Sequence, residues 1–268
     1  MERQTQVIDF RDANRPGVLQ ANVPGGAAWG TRLYEVRGGP RSGGGPLRLA
    51  IADLADPPGS ARKSETAFKE LDIPKVVGLW ADGPLLYGIT EGRKGNAVFL
   101  VWDVADRDKP TLLGQLRHPE LEVQRGDWFW TAQGHVISEA HGIAVITSYA
   151  SGPPQVIDAR DPRNPKFLMR LAYKGKRPHH ANEMTDCRPD GRWFYIKSYP
   201  DPVQLWDFSQ PAKPRVIWEE PAADVYGSYA WQAGVPVGPV LLVPQLPQLR
   251  VLTVPRPSQV PPAKVAWR

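Results

Sequence analysis

The chain has 268 residues, 41% hydrophobic and 23% charged, the make-up of an ordinary globular protein of one or two domains. No run approaches the ~20 uncharged apolar residues of a membrane helix. A single cysteine, Cys187, excludes an intrachain disulfide framework and a Cys-built zinc site. The net charge of +5 is scattered over turns, with no block of consecutive basic residues, which speaks against a nucleic-acid partner.

Gly 25 and Pro 29 supply many turns, while ten Trp, eight Tyr and seven Phe provide the apolar surface that a disordered chain lacks. Many turns with many rings indicate a β-rich fold. Residues 1–20 contain Asp9, Arg11, Asp12 and Arg15 and no apolar core, so no secretory signal is visible. The chain as written therefore reads as cytoplasmic, or as exported if its true start lies upstream.

An internal repeat organises the chain. Val7-Ile8-Asp9, followed by Asp12 and Pro16, returns as Val101-Trp102-Asp103 with Asp106 and Pro110, and as Val156-Ile157-Asp158 with Asp161 and Pro165. Weaker copies are Ile51-Ala52-Asp53 and Leu205-Trp206-Asp207 with Pro214, and a decayed sixth is Val251-Leu252-Thr253. The marker positions are spaced by 44, 50, 55, 49 and 46 residues. The apolar pair suits a strand buried between sheets. The aspartates can accept backbone N–H groups in the turn that follows, and the Pro opens the next strand without needing a donor. These aspartates therefore read as structural.

Between markers lie Gly turns at Asp82-Gly83, His141-Gly142, Asp190-Gly191 and Val237-Gly238, with Gly30 as a counterpart. Each is followed by an apolar run, at 85–89, 143–147, 193–197 and 240–243. Short strands then leave the Pro turns at 111–116, 166–171 and 215–218. Four short strands per ~45–50 residues is the pattern of a β-propeller blade. The expected fold is all-β, a propeller of about six blades in one domain spanning residues 1–268. Complete four-stranded units fall at 23–71, 76–118, 128–173, 178–220 and 226–268, and residues 6–22 supply the last two strands of another. The glycine-rich stretch 38–45 and the charged stretch 61–70 lengthen loops without adding strands, and residues 64–71 carry the chain's one short helical periodicity.

The V-I-D-x-x-D-P-x-x-P segments resemble the LVIVD-repeat proteins, a β-propeller family of bacteria and archaea. The resemblance covers nearly the whole chain and is best at residues 101–116 and 156–171. It implies a propeller fold and brings no catalytic residues with it. The chain departs from the pattern in its degraded last copy and in its lack of a signal.

In a propeller the first strand of each blade lines the central channel. Aligned on the Gly turns, these strands fall near 131–138, 179–186 and 226–234. There the sequence gathers Gln133, His135, His179, His180, Asn182, Glu183, Tyr229, Trp231 and Gln232. Adjacent strand residues face opposite sides, so His180 and Asn182 share one face and His179 and Glu183 the other. His118 and His141 read as surface turn residues, and Cys187 as an inert strand-end thiol. No nucleophile elbow, His-Glu-x-x-His or phosphate loop occurs.

The reading that follows is a binding or scaffolding module for a protein, peptide or glycan, recognised through Gln133, His135, His180, Asn182, Tyr229, Trp231 and Gln232. An exposed aromatic cluster at one mouth, drawn from Trp128, Trp130, Tyr229 and Trp231, is expected with it. No cofactor is expected in this reading. The alternative is a metal-assisted enzyme, a lyase, hydrolase or oxidase, with His135, His179 and His180 holding a divalent ion.

Overall fold

The computed structural model describes residues 5–9, 17–23, 27–29, 31–37, 48–53, 64–67, 76–92, 95–106, 109–123, 135–148, 153–171, 181–188, 192–198, 203–220, 235–237, 240–245 and 248–253. Among them there is no helix, and every sheet is antiparallel. The chain divides into two compact units, Met1–Thr90 with Val98–Gln115, and Glu91–Ala97 with Leu116–Arg268.

The first unit holds a hairpin, β1 (Thr5–Asp9) with β2 (Gly17–Val23), and two four-stranded meanders. One meander is β3 (Ala27–Trp29), β4 (Arg32–Arg37), β5 (Arg48–Asp53) and β6 (Ser64–Ala67). The other is β7 (Val76–Asp82), β8 (Leu85–Thr90), β9 (Val98–Asp103) and β10 (Thr111–Arg117), the last two residues of β10 being counted with the second unit. The second unit repeats the meander in β11 (His135–Ala140), β12 (Ile143–Ser148), β13 (Gln155–Asp158) and β14 (Lys166–Arg170). It does so again in β15 (Ala181–Arg188), β16 (Trp193–Ser198), β17 (Gln204–Asp207) and β18 (Arg215–Glu219). A last sheet has three described strands, β19 (Val235–Val237), β20 (Val240–Gln245) and β21 (Gln248–Thr253).

Ser64–Ala67 corrects one expectation: it is the fourth strand of its sheet, with Ile51 opposite Ser64. The competing helical period was short, and pairing the open edge of β5 satisfied more backbone groups than one isolated turn of helix would. The stretch 38–45 lies outside the described residues.

The marker motif holds the same place in every sheet. Asp53, Asp103, Asp158, Asp207 and Thr253 each stand opposite the first residue of the preceding strand: Arg32, Leu85, Ile143, Trp193 and Val240. The carboxylate Oδ1 of Asp103 accepts the N–H of Ala105 at 2.9 Å, that of Asp158 the N–H of Arg160 at 3.1 Å, and that of Asp207 the N–H of Ser209 at 2.8 Å. The residue after each Asp donates back across the hairpin: Val104 to the Pro84 carbonyl, Ala159 to Gly142 and Phe208 to Arg192. A turn closed by Lys109 N–H on Asp106, Asn164 on Asp161 and Lys213 on Gln210 then delivers the Pro that precedes the fourth strand.

The fourth strand also repeats a bulge. Asp158 faces Lys166 and Ile157 faces Phe167, but Val156 faces Met169, so Leu168 is the extra residue. Asp207, Trp206 and Leu205 face Arg215, Val216 and Trp218 in the same way. The β1–β2 hairpin copies this register, Asp9 to Gly17, Ile8 to Val18 and Val7 to Gln20. It thus has the register of a third and fourth strand, as the sequence indicated.

In the β7–β10 sheet, strands two and three are apolar on both sides because both sides are covered. Leu86–Ile89 and Val98–Trp102 are buried without alternation, whereas β10 alternates between half-buried and exposed. In the first unit Tyr34, Leu49 and Ile51 of one meander pack with Leu86, Val98, Leu100 and Trp102 of the next. In the second unit Trp193, Tyr195 and Leu205 pack with Leu252 of the last sheet. Phe194 meets Phe208 edge-on at 5.1 Å between ring centres.

Gly88 makes room for the buried Trp102 ring: a Cβ there would sit 2.6 Å from its Cζ3. Gly88→Ala is expected to cost about 1–3 kcal/mol, the usual range for overpacking, read as a lower denaturant midpoint with unchanged slope.

Arg215 reaches Asp207 Oδ2 at 3.0 Å, and Arg160 pairs with Asp158. Burial pushes the Asp207 carboxyl up, but hydrogen bonds from Ser209 and Arg215 outweigh it and hold the group below the usual 3.8. A lowered carboxyl contributes stability that is fully present above the unfolded value and lost as pH falls through the folded one. Asp207→Asn is expected to cost about 1–2 kcal/mol at pH 7 and to cost less below pH ~3, so that the two proteins' urea midpoints converge in acid.

Candidate functional site

Every meander has two ends. At one lie the Gly turns and the marker aspartates. The tight turns there demand positive φ, as at Gly83 (57°), His141 (51°) and Gly142 (79°). At the other, the entry end, the first strand begins, the second stops, the third begins and the fourth stops.

The polar residues buried among the described ones divide unevenly between these ends. Asp207 is at the turn end; Thr90, Thr147, Gln155 and Glu220 are at the entry end of their sheets. Strands leaving a sheet there shed backbone groups from the ladder, and those groups need partners. In the first unit Thr90 Oγ1 accepts the Val98 N–H at 2.8 Å. In the second, Glu220 Oε2 accepts the Val203 N–H at 3.3 Å.

Gln155, 1% exposed, takes the Glu122 N–H on Oε1 at 2.8 Å and gives its own N–H to the Glu122 carbonyl at 2.7 Å. Residues 118–123 are thereby clamped along the entry end of the β11–β14 sheet. Arg170 adds a bond to the Glu120 carbonyl and an ion pair to Glu122 at 3.7 Å, and Val123 and Gly92 exchange two backbone bonds of 2.9 Å.

Against this frame the candidate residues fall as follows. His135 is the first residue of β11, opposite Ser148. Asn182 is the second residue of β15. Both stand at the entry end of first strands, and within the second unit β11 adjoins β15, which adjoins β19. Topology therefore places His135 and Asn182 on neighbouring strands at the same end. Gln133, His179, His180, Tyr229, Trp231 and Gln232 lie outside the described residues, as do Trp128 and Trp130.

The described parts of these first strands begin at His135 and Ala181, and residues 131–134 and 179–180 lie outside the described residues. In the last sheet the first described strand is Val235–Val237, and 226–234 lies outside the described residues. Cys187 lies in β15 opposite Phe194. Among the described residues no group of three or more His, Cys, Asp or Glu is placed to hold a metal ion, and no helix is long and apolar enough to cross a membrane.

His141 is an exposed turn residue, as expected. His118 is not a plain surface residue. It is half-buried and stacked on Phe167, with ring centres 4.3 Å apart and planes 7° from parallel, and its Nδ1 accepts the Glu120 N–H at 3.2 Å. The clamp residues Gln155, Arg170 and Glu122 were overlooked in the sequence, although a signal existed. Glutamine recurs three residues before the marker at Gln6, Gln155 and Gln204, and Gln204 also works at this end, donating to Glu219 at 2.7 Å.

No family model matches the chain, and no curated protein matches it, so the LVIVD likeness rests on the motif alone. Among solved structures, a crystal structure of AztD from Citrobacter koseri is 10% identical with a TM-score of 0.43, covering 85% of this chain. An apo form of the same protein is 11% identical with a TM-score of 0.43, covering 80% of this chain and 67% of that one. The chain spans 55% of the length of the first. Likeness at that level bears on neither ligand nor activity.

Gln155→Ala would strand a part-buried N–H and carbonyl of Glu122. A loss of about 2 kcal/mol is expected, together with faster amide exchange at Leu121 and Val123 while β12 and β13 keep their protection.

Proposed function

We propose that residues 1–268 form a single propeller-type domain of about six blades that acts as a binding module, taking a protein, peptide or glycan at the entry end of its first strands. The observation that carries this reading is the side-by-side run of β11, β15 and β19 within the second unit, with a chemistry-bearing residue opening β11 and another near the start of β15. A repeated scaffold holds the strands, and the segments that do not repeat lead into them, the usual division between rigid frame and recognition surface. Gln133, His180, Tyr229, Trp231 and Gln232 belong to those segments. No observation among the described residues favours the metal-assisted alternative through His135, His179 and His180.

The test is a screen of the whole protein on immobilised glycan and peptide arrays beside a Tyr229→Ala/Trp231→Ala variant. Wild type is expected to retain at least one ligand class and the variant to bind it at least about tenfold more weakly, since aromatic rings covered by a ligand carry much of such affinity. Equal binding by the two, or binding by neither, would overturn the reading.

A further inference from the structure

The middle first strand of the second unit, β15, does not pair regularly. Ala181 stands opposite Ser198 and Met184 opposite Lys197, so Asn182 and Glu183 have no residue of β16 facing them. The corresponding stretch of β11 runs in unbroken register from His135 opposite Ser148 to Ala140 opposite Ile143. In the first unit, β3 is regular and the irregularity of β7 falls between Val76 and Gly78, at apolar Val77. Among the described first strands, only β15 has a polar bulge. It sits at the entry end, beside the strand that opens with His135. A bulge releases backbone groups from the ladder and breaks the strict alternation of faces, and bulges are over-represented at sheet edges, as in β15, and next to active sites.

We propose that the Asn182–Glu183 bulge, with His135 at the matching end of β11, is a seat for the hydroxyl groups of a neutral saccharide; this rests on the binding-module reading and narrows it. Charge selects the ligand class. A net charge of +5 disfavours a cationic partner, and a glutamate at the bulge disfavours an anionic one. What remains is a ligand rich in uncharged donors and acceptors. Asn both donates and accepts, an ionised Glu accepts, and neutral His does one of each at its two nitrogens. Adjacent sugar hydroxyls, each a donor and an acceptor, match that set of residue types.

The experiment titrates the whole protein with neutral hexasaccharides of glucose, xylose and mannose, followed by calorimetry and tryptophan fluorescence. Asn182→Ala and Glu183→Gln are run beside wild type, with unfolding midpoints measured for each. At least one hexasaccharide is expected to bind, and each variant with a wild-type midpoint to bind it about tenfold more weakly, the loss of one hydrogen-bonded partner. A variant that loses its fold is replaced by Asn182→Ser or Glu183→Asp, read in the same way. Saccharide binding unchanged in the variants would overturn the seat and leave the binding module standing. Peptide binding on the arrays with no saccharide binding would do the same. No binding of either class would overturn both.

Discussion

A strand buried on both faces has no water to receive the backbone groups it releases where it ends. In this chain that problem arises at the ends of β9, β13 and β17, and the marker aspartate meets it. Its carboxylate takes the N–H two residues on, at Asp103, Asp158 and Asp207 alike. The next residue donates back across the hairpin. With those groups satisfied, the chain can turn sharply into the Pro that opens the fourth strand. The bulge that follows shifts the fourth strand at the same place in β1–β2, β13–β14 and β17–β18, whereas β5–β6 pairs without one. Loss of the Asp in the last copy leaves the register intact, Thr253 still standing opposite Val240. Register therefore depends on the whole pattern of pairing, to which the carboxylate adds local satisfaction.

This division of labour makes the two ends of each sheet different. The turn end is set by the repeat: tight hairpins, positive φ, Asp–Arg pairs. The entry end is not repeated to the same degree, and it holds Thr90, Thr147, Gln155 and Glu220 in burial. A buried polar side chain that finds its partners fixes the backbone firmly. Gln155 shows how. One amide closes both hydrogen-bonding positions of Glu122 and turns a connecting segment into part of the frame.

Much of the scaffold was legible in the sequence. Strands β8, β12, β16 and β20 fall within a residue or two of the apolar runs that announced them, and β10, β14 and β18 within a residue or two of the segments that leave the Pro turns. The half-unit at the start was legible too, through the spacing from Asp9 to Pro16. The site was less so. Alternation placed Asn182 and Glu183 on opposite faces, and the bulge in β15 removes the premise of that argument. Ser64–Ala67 looked helical over too few residues to outweigh a waiting sheet edge. His118 looked like a turn residue because nothing in its neighbourhood names Phe167, 49 positions away, as its stacking partner.

By itself the sequence determined the period, the all-β class and the residues that close each turn, since these depend on contacts a few residues apart and on apolar runs that only burial explains. Tertiary structure alone decided which polar side chains meet at the entry end, where β15 leaves its ladder, and which strand borders which. Those outcomes depend on registers between segments far apart in the chain, and a shift of one or two residues, invisible in composition or spacing, moves every side chain of a strand to a new neighbour.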